Sequence, residues 1–246
     1  MITEFDPLAV YFGEPLKVTE GMTITQATLG DIIRIGEKEY WSAVNLLTSI
    51  PSDHISMLHD AGINYMEISE LEFFTLMKGH LKKGDTEIFF GDLDFSKFQP
   101  CKRKEDGALV LYNEENNCLL DEISYMMMTK YLRTVHLIKK KPRKAGNKRT
   151  YEIQVEMDRQ DKRTASTKPY KSHLLPMISS LVNHPGFKYS INQIRELTLY
   201  QFMDCVHRIT TMTHTERIAQ GYYSGNIDPK KINIKKELDW MRDLQE

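Results

Sequence analysis

Among the residues able to do chemistry, one run stands apart. KKKPRKAGNKR, residues 139–149, carries Lys139, Lys140, Lys141, Arg143, Lys144, Lys148 and Arg149 and no acidic residue. Such a cluster could contact phosphates, in binding that weakens steeply as salt rises. No aromatic residue interleaves within the run, so base stacking is not supported. Two other readings stand beside nucleic acid. One is a solvated loop whose charge balances the acidic remainder; the other is docking on an acidic protein surface. Pro142 and Gly146 break any helix here. The run is therefore the expected flexible loop and the expected boundary between two halves of the chain.

The other chemically capable residues converge less. His207 and His214 are seven apart and share a helix face, with Asp204 one turn before His207. A metal site needs about three to four converging ligands, and partly exposed helix residues are the simpler reading. His54 and His59, five apart, match one helix face poorly. Glu70 with Glu72, or Glu114 with Glu115, could be imagined as acid and base, but carboxylates are common on exposed turns and favoured at helix starts. Cys205 and His207, two apart on a helix, point to different sides. Met126, Met127 and Met128 read as core rather than as an adaptable binding surface. Tyr222 and Tyr223, near glycines, read as a recognition loop or as the turn after a long helix.

No GxxxxGK[ST], GxGxxG, GxSxG or HExxH occurs, which counts against the common nucleotide-binding and hydrolase classes. No catalytic residue, metal or cofactor is assigned, and a non-enzymatic protein is expected.

The whole chain sets the frame. It has 246 residues, 41% hydrophobic and 27% charged, with a net charge of −1. That length allows one large or two small domains. The charge excludes the whole molecule as an electrostatic ligand for nucleic acid or membrane, so such a role must come from a local patch. Cys101, Cys118 and Cys205 are odd in number and widely spaced, which fits a reducing compartment. The start, MITEFDPLAVYFGEPL, does not read as a signal peptide. No window approaches the ~18 apolar residues of a membrane span. A cytosolic protein is expected.

The elements that must position these residues are mostly helical. The expected fold is mainly α with a small β insertion (α+β). Residues 1–20 read as an irregular arm with one short strand, and residues 21–138 as an N-terminal helical half. MTITQAT reads as a strand or an extended entry. A helix opens at Thr28 or Asp31 and runs to Ser49, with Ile32, Ile33, Ile35, Tyr40, Val44 and Leu47 as its apolar stripe. Pro51 to Gly62 reads as a short helix. Ser69 and Glu72 have the spacing of a capping box for the next helix, with Leu71, Phe74 and Leu76 inward. TEIFFGDLDFSKF reads as β, and ALVLYNEENNCLLDE as a hairpin turning over 113–117. The β insertion is thus expected around 84–120. LLDEISYMMMTKYLRTVHLIKK reads as a long helix with Ile123, Met126, Met127, Tyr131 and Val135 buried.

After the basic run, residues 150–246 read as a C-terminal helical half. Asp158 and Lys162 stand in the favourable i, i+4 order. A helix ends at His184-Pro185-Gly186. Leu199, Phe202, Val206, Ile209 and Thr213 make the best periodic stripe in the chain.

ITQATLGDIIRIGEKEYWSAVNLLTSIPSDHISMLHDAGINYMEISELEFF, then SINQIRELTLYQFMDCVHRI, then GYYSGNIDPKKINIKKELDWMRDL, resemble in order a protein encoded in the tail-gene region of phages and prophages of Gram-positive bacteria. The resemblance covers about two thirds of the chain and leaves out the basic run and the β insertion. LHDAGINY stands where tryptophans are expected. The resemblance implies tail assembly, as a chaperone for the tape-measure protein or as a minor tail component, and brings no catalytic residues. Its implied partners are tape-measure or tail-tube proteins; apart from the resemblance, the basic run at 139–149 leaves a phage nucleic-acid-binding or regulatory/anti-defence protein as the alternative, and no membrane partner is expected. Its implied location is the host bacterial cytoplasm or the virion tail.

Overall fold

A computed structural model describes residues 5–242. The fold is mainly α with two small antiparallel sheets. No helix among the described residues is long and apolar enough to cross a membrane. The chain packs as two compact units, Met1–Lys171 and Ser172–Glu246. The boundary expected at 139–149 therefore falls inside the first unit.

The first unit opens with α1 (Pro7–Phe12), then a hairpin of β1 (Leu16–Thr19) and β2 (Met22–Ile24). The expected irregular arm thus holds a helix as well as a strand. Asp6 caps α1, accepting from the Leu8 amide at 2.9 Å, and Pro7 suits the first turn because its missing N–H would find no helical partner.

The helix expected from Thr28 to Ser49 is two helices, α2 (Leu29–Ile35) and α3 (Glu37–Thr48). Gly36 separates them at φ 97°, a region L side chains rarely adopt. The two candidate starts cooperate in one capping box: Thr28 Oγ1 accepts from the Asp31 amide, and the Asp31 carboxylate accepts from the Thr28 amide, both at 3.1 Å. Ile32, Tyr40, Val44 and Leu47 are buried as expected, but Ile33 is 57% exposed.

α4 (Ile55–Asp60) and α5 (Glu70–Met77) follow, the latter with the expected Ser69–Glu72 box. Leu71 and Phe74 point inward together with Phe73, while Leu76 faces out.

The segment expected as β instead begins with a helix, α6 (Lys83–Phe90). Tertiary packing overrides the strand preference of Ile-Phe-Phe. Phe89 and Phe90 are buried, and Phe90 meets Phe95 edge-on at 4.8 Å between centroids. The helix end is satisfied from outside: the Thr25 amide and hydroxyl donate to the carbonyls of Phe89 and Ile88 at 2.9 and 2.8 Å. Gly91 is the stop of this helix.

The β insertion is therefore shorter than expected. It is an antiparallel meander of β3 (Gln99–Lys102), β4 (Leu109–Asn113) and β5 (Cys118–Leu120), with Leu111 opposite Leu120. The hairpin turns where expected, with Asn117 at φ 48°.

α7 (Glu122–Val135) buries Tyr125, Met128, Tyr131, Leu132 and Val135. The expected face is half right. Tyr131 and Val135 are inside, but Ile123 is 74% exposed and Met126 also faces out. Two apolar stripes exist on this helix, and the one carrying the tyrosines faces the core. Arg133 fastens α7 to its surroundings, donating to the Thr48 carbonyl at 3.1 Å and to Glu70 at 2.8 Å. α8 (Lys148–Ser166) completes the unit and packs on α4.

The second unit holds α9 (Leu174–Val182), α10 (Ile191–Ile194), α11 (Leu199–Tyr223) and α12 (Ile234–Leu238). Thr198 and Gln201 form the capping box that starts α11. Of the expected stripe only Leu199 and Phe202 are buried; Val206, Ile209 and Thr213 are half-buried.

Candidate functional site

The basic run leaves α7 through Leu137, at φ 55°, and has no regular structure until α8 begins at Lys148. Contacts with the α4 region fasten it. Lys140 Nζ lies 2.6 Å from Asp53. The Arg143 amide donates to Ser52 Oγ at 3.2 Å, and the Ala145 amide to Met66 Sδ at 3.3 Å. Lys139 is exposed and has a partner of its own. Lys141, Arg143, Lys144, Lys148 and Arg149 are exposed and their side chains make no ion pair among the described residues. Lys148 and Arg149 occupy the first turn of α8, where the helix dipole disfavours cations. Asn147 caps that helix, accepting from the Thr150 amide at 2.9 Å.

Beside the run lies an open depression of ≈ 590 Å³, lined among others by His59, Ile63, Asn64, Met66, Lys148 and Tyr151. Tyr151 stacks on the buried Tyr65, with centroids 5.4 Å apart and planes 17° from parallel. The exposed His59 meets Tyr151 edge-on at 5.8 Å. The Tyr65 hydroxyl donates to Gln154 Oε1. Aromatic rings therefore do stand beside the cations, although the run itself holds none. Tyr151, two residues past Arg149, is the one signal of them in the sequence; His59 and Tyr65 arrive from about ninety residues earlier and leave none.

A polar cluster joins α4 to α8. Asp158 Oδ2 accepts from the Ser56 amide at 2.8 Å, from Ser56 Oγ at 2.6 Å and from Lys162 Nζ at 2.7 Å. Burial opposes ionisation of Asp158, but these donors outweigh it and hold its carboxyl below the usual range. Burial and Lys162 hold the nearby His54 imidazole below its usual value. Ser56 Oγ is 3.5 Å from Lys162 Nζ, a pairing that elsewhere activates serine. Here Lys162 is ion-paired and so is a proton donor, and the Ser56 hydroxyl is committed to Asp158. The cluster caps α4 and clamps two helices together.

Several of the remaining sequence candidates are engaged by other side chains. Asp204 pairs with Arg208 at 3.7 Å, and His214 Nε2 lies 2.9 Å from Glu237. Glu70 binds Arg133, Glu72 caps α5, and Glu115 binds Lys97. Burial, then Asp204, push the Cys205 thiol up, away from the reactive thiolate. Among the described residues no three of His, Cys, Asp and Glu gather as a metal site would require.

In the second unit, an open groove of ≈ 670 Å³ runs between α9 and α11. Met177, Leu181, Val206 and Ile209 supply apolar walls, with Thr210 and Arg217 also lining it. Buried apolar side chains are few in this unit: Leu174, Leu181, Ile194, Leu199 and Phe202 among the described residues. Leu175, Ile191, Tyr223 and Met241 are each at least 65% exposed.

Residues 166–245 match the family model described as the YomV second domain. YomV is a protein of a Bacillus phage or prophage. No curated protein matches the chain, and no solved structure does. The second compact unit is thus similar, over nearly all its length, to a phage-associated domain.

Proposed function

We propose that the chain is a non-enzymatic phage protein that binds another tail protein during assembly, as a chaperone-like factor or a minor tail component. The observation that carries this reading is the α9–α11 groove, with the outward-facing apolar side chains of the same unit. A unit of this size has little core to spare, and exposed apolar surface of this kind marks a place where another protein sits. α11 leaves most of its 25 residues outside the core. A long helix of that character bridges or binds rather than packs. The similarity of the segment to a phage-associated domain supports the setting.

The partner expected is a tape-measure or tail-tube protein, whose helix-prone apolar surface would lie in the groove until assembly. The protein would act in the host cytoplasm and could remain in the virion tail. The test is capture from infected or induced cells with the full chain as bait, with mass spectrometry of what is retained at low and high salt. A tail protein retained at high salt is the expected result. No tail protein at either salt would end this reading.

A further inference from the structure

We propose that the depression between the α4–α5 connection and the start of α8, with the cations that flank it, is a binding site for single-stranded nucleic acid. This does not rest on the tail-protein reading, which concerns the other unit.

Three features meet there. First, five cations without an ion pair among the described residues, Lys141, Arg143, Lys144, Lys148 and Arg149, follow one another along one exposed stretch of chain. From 141 to 147 an extended chain spans at most about 20 Å, the length of several consecutive phosphates. Second, Tyr151 and His59 line the depression, and Tyr65 backs Tyr151 from behind by stacking. A tyrosine held flat in this way is a fixed platform, so a base placed on it costs no ordering of the ring. Third, none of the residues lining the depression is acidic, and Lys148 brings a hydrogen-bonding group to its rim, while Asn64 is held by the Glu67 carboxylate at 2.6 Å and Asn147 by the Thr150 amide at 2.9 Å. Its volume lies within the range of sites that take small molecules, so it can admit a base.

Cations on the backbone and rings under the bases are the two parts of a single-strand site. Duplex DNA would use only the first part, because its bases are stacked on one another and cannot reach the rings. An acidic protein would likewise use the cations and leave the platform idle. The combination therefore favours an unpaired strand over both.

The test uses the full chain and a fluorescently labelled oligothymidylate of about fifteen nucleotides, within the span of known single-strand sites. Anisotropy titrations would run from about 20 to 200 mM salt, with the matching duplex and polyglutamate as competitors. Binding that falls with salt is expected, with the single strand preferred over the duplex. Lys148→Gln with Arg149→Gln should reduce the salt slope by about 1.4, at roughly 0.7 for each phosphate no longer neutralised. His59→Ala should weaken binding about fivefold or more, as removal of one stacking partner does, and leave the slope unchanged. Tyr151→Leu should act in the same direction. Because Tyr151 packs on Tyr65, its thermal melt is read alongside, and the exposed His59 decides the outcome if that variant misfolds. Absence of binding at the lowest salt overturns the proposal. So does equal affinity for duplex together with indifference to His59→Ala. Competition by polyglutamate as strong as by the oligonucleotide would reassign the surface to an acidic protein.

Discussion

The hydroxyl of Tyr40 lies 2.6 Å from Nε2 of His136, and the bond joins α3 to the residue that caps the end of α7 across 96 residues of sequence. The other ring nitrogen fixes who donates. His136 Nδ1 lies 2.7 Å from the Leu132 carbonyl, which can only accept. Nδ1 therefore carries the proton, Nε2 is the acceptor, and Tyr40 donates. Trp41 and Phe89 pack edge-on around the imidazole. Burial depresses the His136 pKa to about 4, so the ring is neutral in the folded protein at neutral pH.

That neutrality predicts an acid-sensitive core. Unfolded, His136 would titrate near 6.5; folded, near 4. Between these values the unfolded chain binds the extra proton. Stability is therefore fully present above pH 6.5 and is lost as pH falls toward 4. The shift corresponds to about 3 kcal/mol. Urea unfolding at pH 7 and at pH 4.5 should show most of this loss. His136→Gln, which has no proton to take up, should be weaker at pH 7 and much flatter between the two. An equal loss in that variant would place the acid sensitivity elsewhere.

The Asp158 cluster predicts an asymmetric pair of substitutions. Asp158→Ala leaves the Ser56 amide and hydroxyl and the Lys162 ammonium without their acceptor. The expected cost is about 2–3 kcal/mol in unfolding free energy. Lys162→Met removes a partner that is 42% exposed, and the expected cost is under about 1 kcal/mol. Chemical denaturation of both variants at pH 7 checks the order; a larger loss for Lys162→Met would contradict it.

Gly36→Ala should destabilise although it adds only a methyl group. The residue sits at φ 97°, and the new Cβ would meet the Glu39 carboxylate. The backbone term alone is on the order of 1–3 kcal/mol. A fall in melting temperature is expected, with helix content by circular dichroism unchanged at low temperature. A neutral outcome would mean that the α2–α3 junction does not need this conformation.

The groove of the second unit can be closed without touching its core. Thr210 is exposed and lines it. Thr210→Arg places a long side chain in the opening, and surface changes of this sort alter stability by less than about 0.5 kcal/mol. Capture of a tail protein should be lost while the melting temperature stays within a degree or two. Retention of the partner would move its docking surface away from the α9–α11 groove.

What the sequence discloses divides by range of interaction. The Ser69–Glu72 capping box, the turn near Asn117 and the Asp158–Lys162 pair are each set by residues three to five apart, and all three are present in the fold. In α6, Ile-Phe-Phe favours a strand locally, and only burial against Phe95 and the meeting of the last carbonyls with Thr25 make the segment helical. On α7 the periodicity admits two apolar stripes. The choice between them falls to partners far away in sequence, since Tyr131 receives a hydrogen bond from Gln26 and donates to the Glu14 carbonyl. The cations at 139–149 are plain in the sequence, while the rings beside them depend on how α4 and α8 meet.

Residues 167–173 connect α8 to α9 without regular structure and contain Pro169. The compact units divide within this stretch, and the segment similar to the phage-associated domain begins just before it. In terms of descent, a crossover between two genes at this place would hand over one whole domain and interrupt no helix, strand or core of either parent.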